Sequence, residues 1–401
     1  MKRICRSIAF GALSIALAAP AAALAADDPA GDVILDMRLR SESVSQDGFA
    51  EDALALTLRT RLGYETAAWN GFKLLVEGEA VTPLVEDYNS TTNGKIAYPV
   101  VADPEAVELN RAQVAWTGAQ GEIVAGRQRI VLNGARFVGN VGFRQNEQTF
   151  DAVKAAFRPT KALTLTWIYV DRVHRVFGDD SVQGEWDADA NLVQADYKAP
   201  FGQLTGYAYL MAFDNAPAQS NATYGLRLTG SRPLRDGLAA TYEAEYAVQS
   251  DYRNSPVAFD LDYVGLSAGL KGSSRWVSIG FEQLEGDGVR GFATPLATLH
   301  AFQGWADVFL ATPRDGVRDL NLRAGWSFKA GPAATPIRLV AAVHDFSASG
   351  GSFDYGSEVD LLASAALTKA ITAEIKAAAF EGDRPGYADR TKVWITFEYK
   401  Y

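Results

Sequence analysis

The sequence predicts an all-β fold: a transmembrane antiparallel β-barrel of about 18 strands, following a cleaved signal peptide. Three observations lead there. The last strand alternates oily and charged residues and ends on an aromatic. The same alternation recurs along the chain. The links between these stretches alternate short and long from one end to the other.

The closing stretch shows the pattern best. Val393, Ile395, Phe397, Tyr399 and Tyr401 share one parity, and Lys392, Thr396, Glu398 and Lys400 share the other. Successive side chains of a strand point to opposite faces, so one face is oily and the other wet. In a barrel of this kind the oily face meets lipid and the wet face a water-filled lumen.

At the other end, Lys2, Arg3 and Arg6 precede an apolar run from Ile8 to Ala22, and Ala23-Leu24-Ala25 offers a small-x-small cleavage site. This is the pattern of a secretory signal peptide over residues 1–25, with the barrel domain over 26–401. The only cysteine, Cys5, lies before the cut, so the mature chain has no disulfide and no thiolate metal site. No later run is long and apolar enough for a membrane helix, which needs roughly 20 residues. The net charge of −10 argues against nucleic acid as a partner.

Taken in order, the first strand sets Val33, Leu35, Met37 and Leu39 against Asp36, Arg38 and Arg40. The second sets Leu54, Leu56, Leu58, Leu62 and Tyr64 against Thr57, Arg59 and Arg61. Asn70-Gly71 then carries a hairpin-turn signal. The third sets Phe72, Leu74 and Val76 against Glu77 and Glu79, and the fourth Ala112, Val114 and Trp116 against Arg111 and Gln113. In the fifth, Arg127 and Arg129 read as inward, which leaves Gln128 on the outer parity with no explanation. Later strands are centred on Trp167, Tyr242, Trp326 and Leu361. Parity is ambiguous near Phe150, Val193, Leu204 and Tyr263. Short turns such as Gly118–Gln120 and Gly272–Ser273 alternate with long links such as 82–106, 133–148 and 287–317. Outer-membrane barrels join their strands by short periplasmic turns and longer outer loops. Both ends of the mature chain are then expected on the periplasmic side.

Two stretches carry a resemblance. One runs Gly126-Arg127-Gln128-Arg129-Ile130 and then from Arg136 to Ala152; the other runs from Leu296 to Asp307. They look like the alginate-export-type family of bacterial outer-membrane barrels. The resemblance implies an eighteen-stranded monomer in outer-membrane lipid. It also implies an Arg-rich constriction that passes an anionic polysaccharide or another solute; anionic oligo- or polysaccharide is the favoured cargo, and the reading leaves room for a periplasmic export partner. A general porin for small polar solutes is the alternative, and a plugged structural barrel a third reading.

The residues expected along the solute pathway are Arg38, Arg40, Arg59, Arg61, Arg111, Arg127, Arg129, Arg144, Asn140 and Asn146. Guanidinium groups stay charged and bind carboxylates in a two-pronged fork, so a ladder of them would attract an anionic chain. Conduction requires each site to release what it binds. The 133–148 link is expected to fold into the pore. The 287–317 link is too apolar for a free outer loop and is expected inside the mouth, partly helical. No catalytic, metal or cofactor site is expected, because no nucleophile elbow, zinc-protease helix or phosphate loop occurs. His344-Asp345 is no natural dyad, since neighbours on a strand point apart.

Overall fold

The structure, a computed structural model, describes residues 31–401. The expected signal peptide and Cys5 lie outside the described residues. Eighteen strands run β1 (Gly31–Gln46), β2 (Ala53–Thr66), β3 (Phe72–Asp87), β4 (Ala106–Gly118), β5 (Gly121–Gln128), β6 (Thr149–Phe157), β7 (Leu163–His174), β8 (Glu185–Ala199) and β9 (Gly202–Phe213). They continue as β10 (Asn221–Arg235), β11 (Leu238–Asp251), β12 (Asp260–Gly272), β13 (Arg275–Leu284), β14 (Val317–Ala330), β15 (Thr335–Ser347), β16 (Asp354–Ala366), β17 (Ile371–Gly382) and β18 (Arg390–Lys400). Each pairs antiparallel with its neighbour in sequence, and β18 pairs with β1 from Asp36↔Lys400 to Gln46↔Arg390, which closes the barrel. Closure leaves no unpaired edge, the condition for a sheet to stand in lipid.

The outer wall is oily. Leu62, Val76, Val107, Ile279, Leu322, Leu361 and Phe397 are exposed on it, where a soluble protein would hide them. Their partners of opposite parity, such as Arg59, Glu77, Asp360 and Lys392, are buried inside. Asn70 and Gly71 both sit at positive φ, as a two-residue hairpin turn needs, and join β2 to β3 at the short-turn end.

The lumen is not an empty pipe. A large buried apolar cluster fills part of it, including Phe137, Val138, Phe150, Ile168, Val170, Leu192, Tyr209, Phe292, Leu296 and Phe309. Several of these lie on β6–β9, whose inner faces are therefore apolar as well. That accounts for the lost parity signal around Phe150 and Val193: with Leu192 buried inside and Val193 exposed to lipid, both faces are oily.

The misfit in β5 also resolves. Pairing puts Trp116 opposite Ile123, Val114 opposite Ala125 and Ala112 opposite Arg127, so Arg127 shares the parity of the exposed outer residues. Gln128 is the inward residue; it is buried and donates to the carbonyls of Gly126 and Ala152. The expected inward Arg127 is thus corrected. Its guanidinium pairs with Asp151, its neighbour across β6, at 2.9 Å. Ile123, Ala125 and Arg127 alternate without a break along β5, and Arg129 lies past the end of the strand, so the two arginines do not share a face by alternation.

Candidate functional site

Two long loops enter the lumen from the long-loop end and meet there. The first, 129–148, leaves β5 and returns at β6. The second, 285–316, leaves β13 and returns at β14. A parallel bridge joins Val138 to Leu296. Gly139 N donates to Leu296 O at 2.8 Å, Thr298 N to Ala135 O at 3.0 Å, and Val141 N to Thr298 Oγ1 at 3.1 Å. Gln148 Nε2 ties both loops by donating to Gly139 O and Leu296 O. Gly139 is required here, since a Cβ would stand 2.3 Å from Thr298 Oγ1. Val141, a β-branched residue, is held at φ +48°, a conformation that persists only where surrounding contacts fix it. The second loop contains a single 3-10 turn, Leu299–Ala301, so the expected helical content is corrected. Packing against the lumen wall, rather than local propensity, shapes this segment.

The first loop sits on ionic seats. Arg38 on β1 donates to the carbonyls of Gly142, Phe143 and Arg144 while its other face holds Glu398. Arg40 reaches Phe143 O and Asp103. Gln145 bonds Thr57 Oγ1 at 2.8 Å and takes Asp103 on its backbone N–H. Arg144 lies between Glu42 and Asp307, 3.1 Å from each. Arg59 is fully buried between Asp36 and Glu398. Asn146 donates to Glu108.

Below the loop, three guanidiniums and three carboxylates alternate in one chain: Glu79, Arg61, Glu147, Arg129, Glu77 and Arg111. Asn110 bridges Glu77 and Glu147 at 2.7 Å each, and Asn140 caps Glu147 at 2.8 Å. Burial pushes the Glu147 carboxyl up, but Arg61 and Arg129 outweigh it and hold it down at about 2. This chain roofs a cavity of about 400 Å³ on the short-turn side of the loop. The cavity is lined by the cations Arg38, Arg61, Arg111, Arg129 and Lys400 and by the acids Asp36, Glu77 and Glu147.

The second loop rests on aromatic and mixed seats. Phe309 packs against Phe346, Tyr355, Phe380 and Tyr387. His300 Nδ1 donates to Asp307 at 2.7 Å, and its Nε2 accepts from Lys376 at 2.5 Å. That arrangement fixes the neutral ring, and burial lowers His300 to about 3. Asp307 also takes Lys392 at 2.7 Å. Lys376 lies over the rings of Trp305 and Phe143. His344 pairs with Asp319 across β14 and not with Asp345.

Of the pathway residues predicted from sequence, the structure brings Arg38, Arg61, Arg111, Arg129 and Asn140 to one cavity. Arg40, Arg59, Arg144 and Asn146 are buried in the loop's seat, and Arg127 is on the outer parity. Sequence reasoning passed over Glu147, Asp103 and Asp307, the acids that neutralise the arginines. Glu147 stood among the polar residues of the inward loop. Its signal was only that a buried ladder of cations needs counter-charges. Trp394 on β18 was also missed; it faces inward, fully buried, edge-on to Phe143 and His300.

No protein-family model matches the chain, and no curated protein does. Solved structures do match. OpdL of Pseudomonas aeruginosa is 16% identical with a TM-score of 0.68, over 92% of this chain and 98% of that one. OccAB4 of Acinetobacter baumannii is 13% identical with a TM-score of 0.70, over 93% and 98%. OccK2 of P. aeruginosa, solved in complex with glucuronate, is 13% identical with a TM-score of 0.66, over 92% and 98%. At such identities the likeness is one of fold. It overturns the resemblance to the alginate-export-type family, which is a different group of barrels. The two stretches that suggested it are the inward loops, which touch each other, and any barrel that lodges loops in its lumen needs glycines and paired polar groups there. The chain is an outer-membrane β-barrel of eighteen strands, with the fold shared by these Occ and Opd proteins.

Proposed function

We propose that the protein is a passive outer-membrane channel for small polar solutes, with preference for those that carry a carboxylate. The observation that carries this reading is the cavity below the inward loops, where five cations face three acids in a space of about 400 Å³. Guanidinium forks recognise a carboxylate in a two-pronged geometry, and the adjoining acids keep each site weak enough to release it. A neighbour of the same fold holds glucuronate, a solute of this size and charge. Export of a polysaccharide chain is not supported. Two loops that are hydrogen-bonded to each other and ion-paired to the wall narrow the lumen, and Arg40, Arg59 and Arg144 of the expected arginine ladder are buried in their seats.

The test is conductance across a planar bilayer. The expected result is a small, steady conductance, anion-preferring, that glucuronate blocks and neutral sugars of equal size do not. A non-conducting barrel, or one indifferent to glucuronate, would overturn the reading.

A further inference from the structure

We infer that Arg129 is the guanidinium that takes the solute's carboxylate, exchanging it for Glu77 and Glu147, while the other cations of the cavity stay in place as its frame. This rests on the channel reading above and deepens it.

The argument is one of satisfied partners. A cation can leave a buried carboxylate at low cost only if that carboxylate keeps other donors. Without Arg129, Glu77 keeps both prongs of Arg111, at 2.9 and 2.7 Å, and Asn110 at 2.7 Å. Glu147 keeps Asn110, Asn140 and the ion pair with Arg61. Neither acid is orphaned.

Lys400 meets this condition too, since Glu398 keeps Arg38 and Arg59, but it offers a point charge and no two-pronged fork; the other guanidiniums fail it. Among the described residues Arg61 is the only partner of Glu79, whose second oxygen is already buried without one. Arg111 supplies both prongs to Glu77. Arg38 holds three consecutive loop carbonyls, and among the described residues only Phe143 O has a second side-chain donor, Arg40.

Accessibility points the same way. The Arg129 side chain is 30% exposed, against 15% for Arg111, 14% for Arg38 and 6% for Arg61. Arg129 also lies just past the end of β5, so its own backbone is outside the strand ladder. Charge completes the case. The alternating chain of three cations and three acids is neutral while Arg129 is paired. A carboxylate that enters beside it pairs with Arg129 and leaves the chain with one negative charge in excess, while Arg61 and Arg111 continue to serve the acids it displaces. Binding is then weaker than a free ion pair would be, which suits a site that must also let go.

Three variants of the full barrel test this: Arg129→Gln, Arg129→Lys and Arg61→Gln, each in detergent and in a planar bilayer. Arg129→Gln is expected to melt within about 2 °C of the parent. It should stay open with a weaker anion preference and bind glucuronate about tenfold more weakly, as loss of one charge-assisted contact implies. Arg129→Lys should regain part of the block, since a point charge without the fork serves less well. Arg61→Gln should melt several degrees lower. Unchanged glucuronate block in Arg129→Gln, or melting lowered as much as in Arg61→Gln, would overturn the inference. If the parent channel itself is not blocked, the carboxylate reading of the pore fails, and the melting contrast still decides whether Arg129 is the dispensable member.

Discussion

The two loops that share the lumen are seated by opposite physics. Loop 129–148 is bound by charge: Arg38, Arg40, Arg61 and Glu42 on the wall grip its carbonyls, Arg144 and Glu147. Loop 285–316 is bound mainly by rings, with Phe309 in an aromatic nest and Phe292 against Phe137 and Tyr263. A charged seat is expensive to break but can trade partners, because an incoming ion replaces a leaving one. An aromatic seat has nothing to trade and acts as a fixed plug. On the proposed channel reading, the contrast puts solute recognition on the side of β1–β5 and rigidity on the opposite side.

The largest effect is expected from Arg144→Ala. It strips one cation from Glu42, Asp103 and Asp307 together, leaves buried carboxylates under-paired and should cost about 3–5 kcal/mol. Denaturant unfolding in micelles reads it, and the open channel should become noisy as the loop loosens. A loss below about 1 kcal/mol would mean that the loop's seat is not ionic.

Phe309→Ala probes the other seat. It removes a buried ring from contact with four others and should cost about 3 kcal/mol. Conductance should rise while glucuronate block is kept. Loss of block here would erase the division of labour between the two loops.

A smaller effect is expected from pH. His300 is held at about 3, below its ordinary 6.5, by burial first, with Lys376 adding to it and Asp307 opposing it. Below pH 6.5 the unfolded chain takes a proton that the seated loop refuses. The stability that rests on neutral His300 is therefore complete above pH 6.5 and falls as pH drops toward 3. Between pH 6.5 and 5, before most carboxylates titrate, closure events should change in frequency, and His300→Gln should flatten that slope. A slope unaltered by the substitution assigns it to another group.

The smallest effect is at the loops' junction. Thr298→Ala removes the acceptor for Val141 N–H and should cost about 1 kcal/mol. It should couple to Arg144→Ala in a double-mutant cycle if the two loops move as one body.

Much of the wall was legible. β1–β4 and β14–β18 alternate cleanly because one face meets lipid and the other meets water or charge. The inward entry of both loops was legible too, from the crowd of polar residues around Asn140 and from the apolar run around Phe302. The pairing of charges was not. Arg38, Arg61 and Arg111 could be assigned to one lumen by parity, but Arg129, past the end of β5, and Glu147 reach it only because their loop turns into the barrel. Arg127 was misplaced because it was read together with Arg129, which lies past the end of β5, whereas the strand's own alternation groups it with Ile123 and Ala125.

The alternation of side chains determined that the chain forms strands with one oily and one wet face, and the steady exchange of short and long links pointed to a closed wall, since a sandwich that hides its oily faces sheet against sheet has no reason to keep that order. Only the tertiary structure decided which inward charges are spent on holding loops and which remain to meet a solute. That choice depends on contacts between residues up to 360 positions apart, such as Arg38 with Glu398, which periodicity along the chain does not encode.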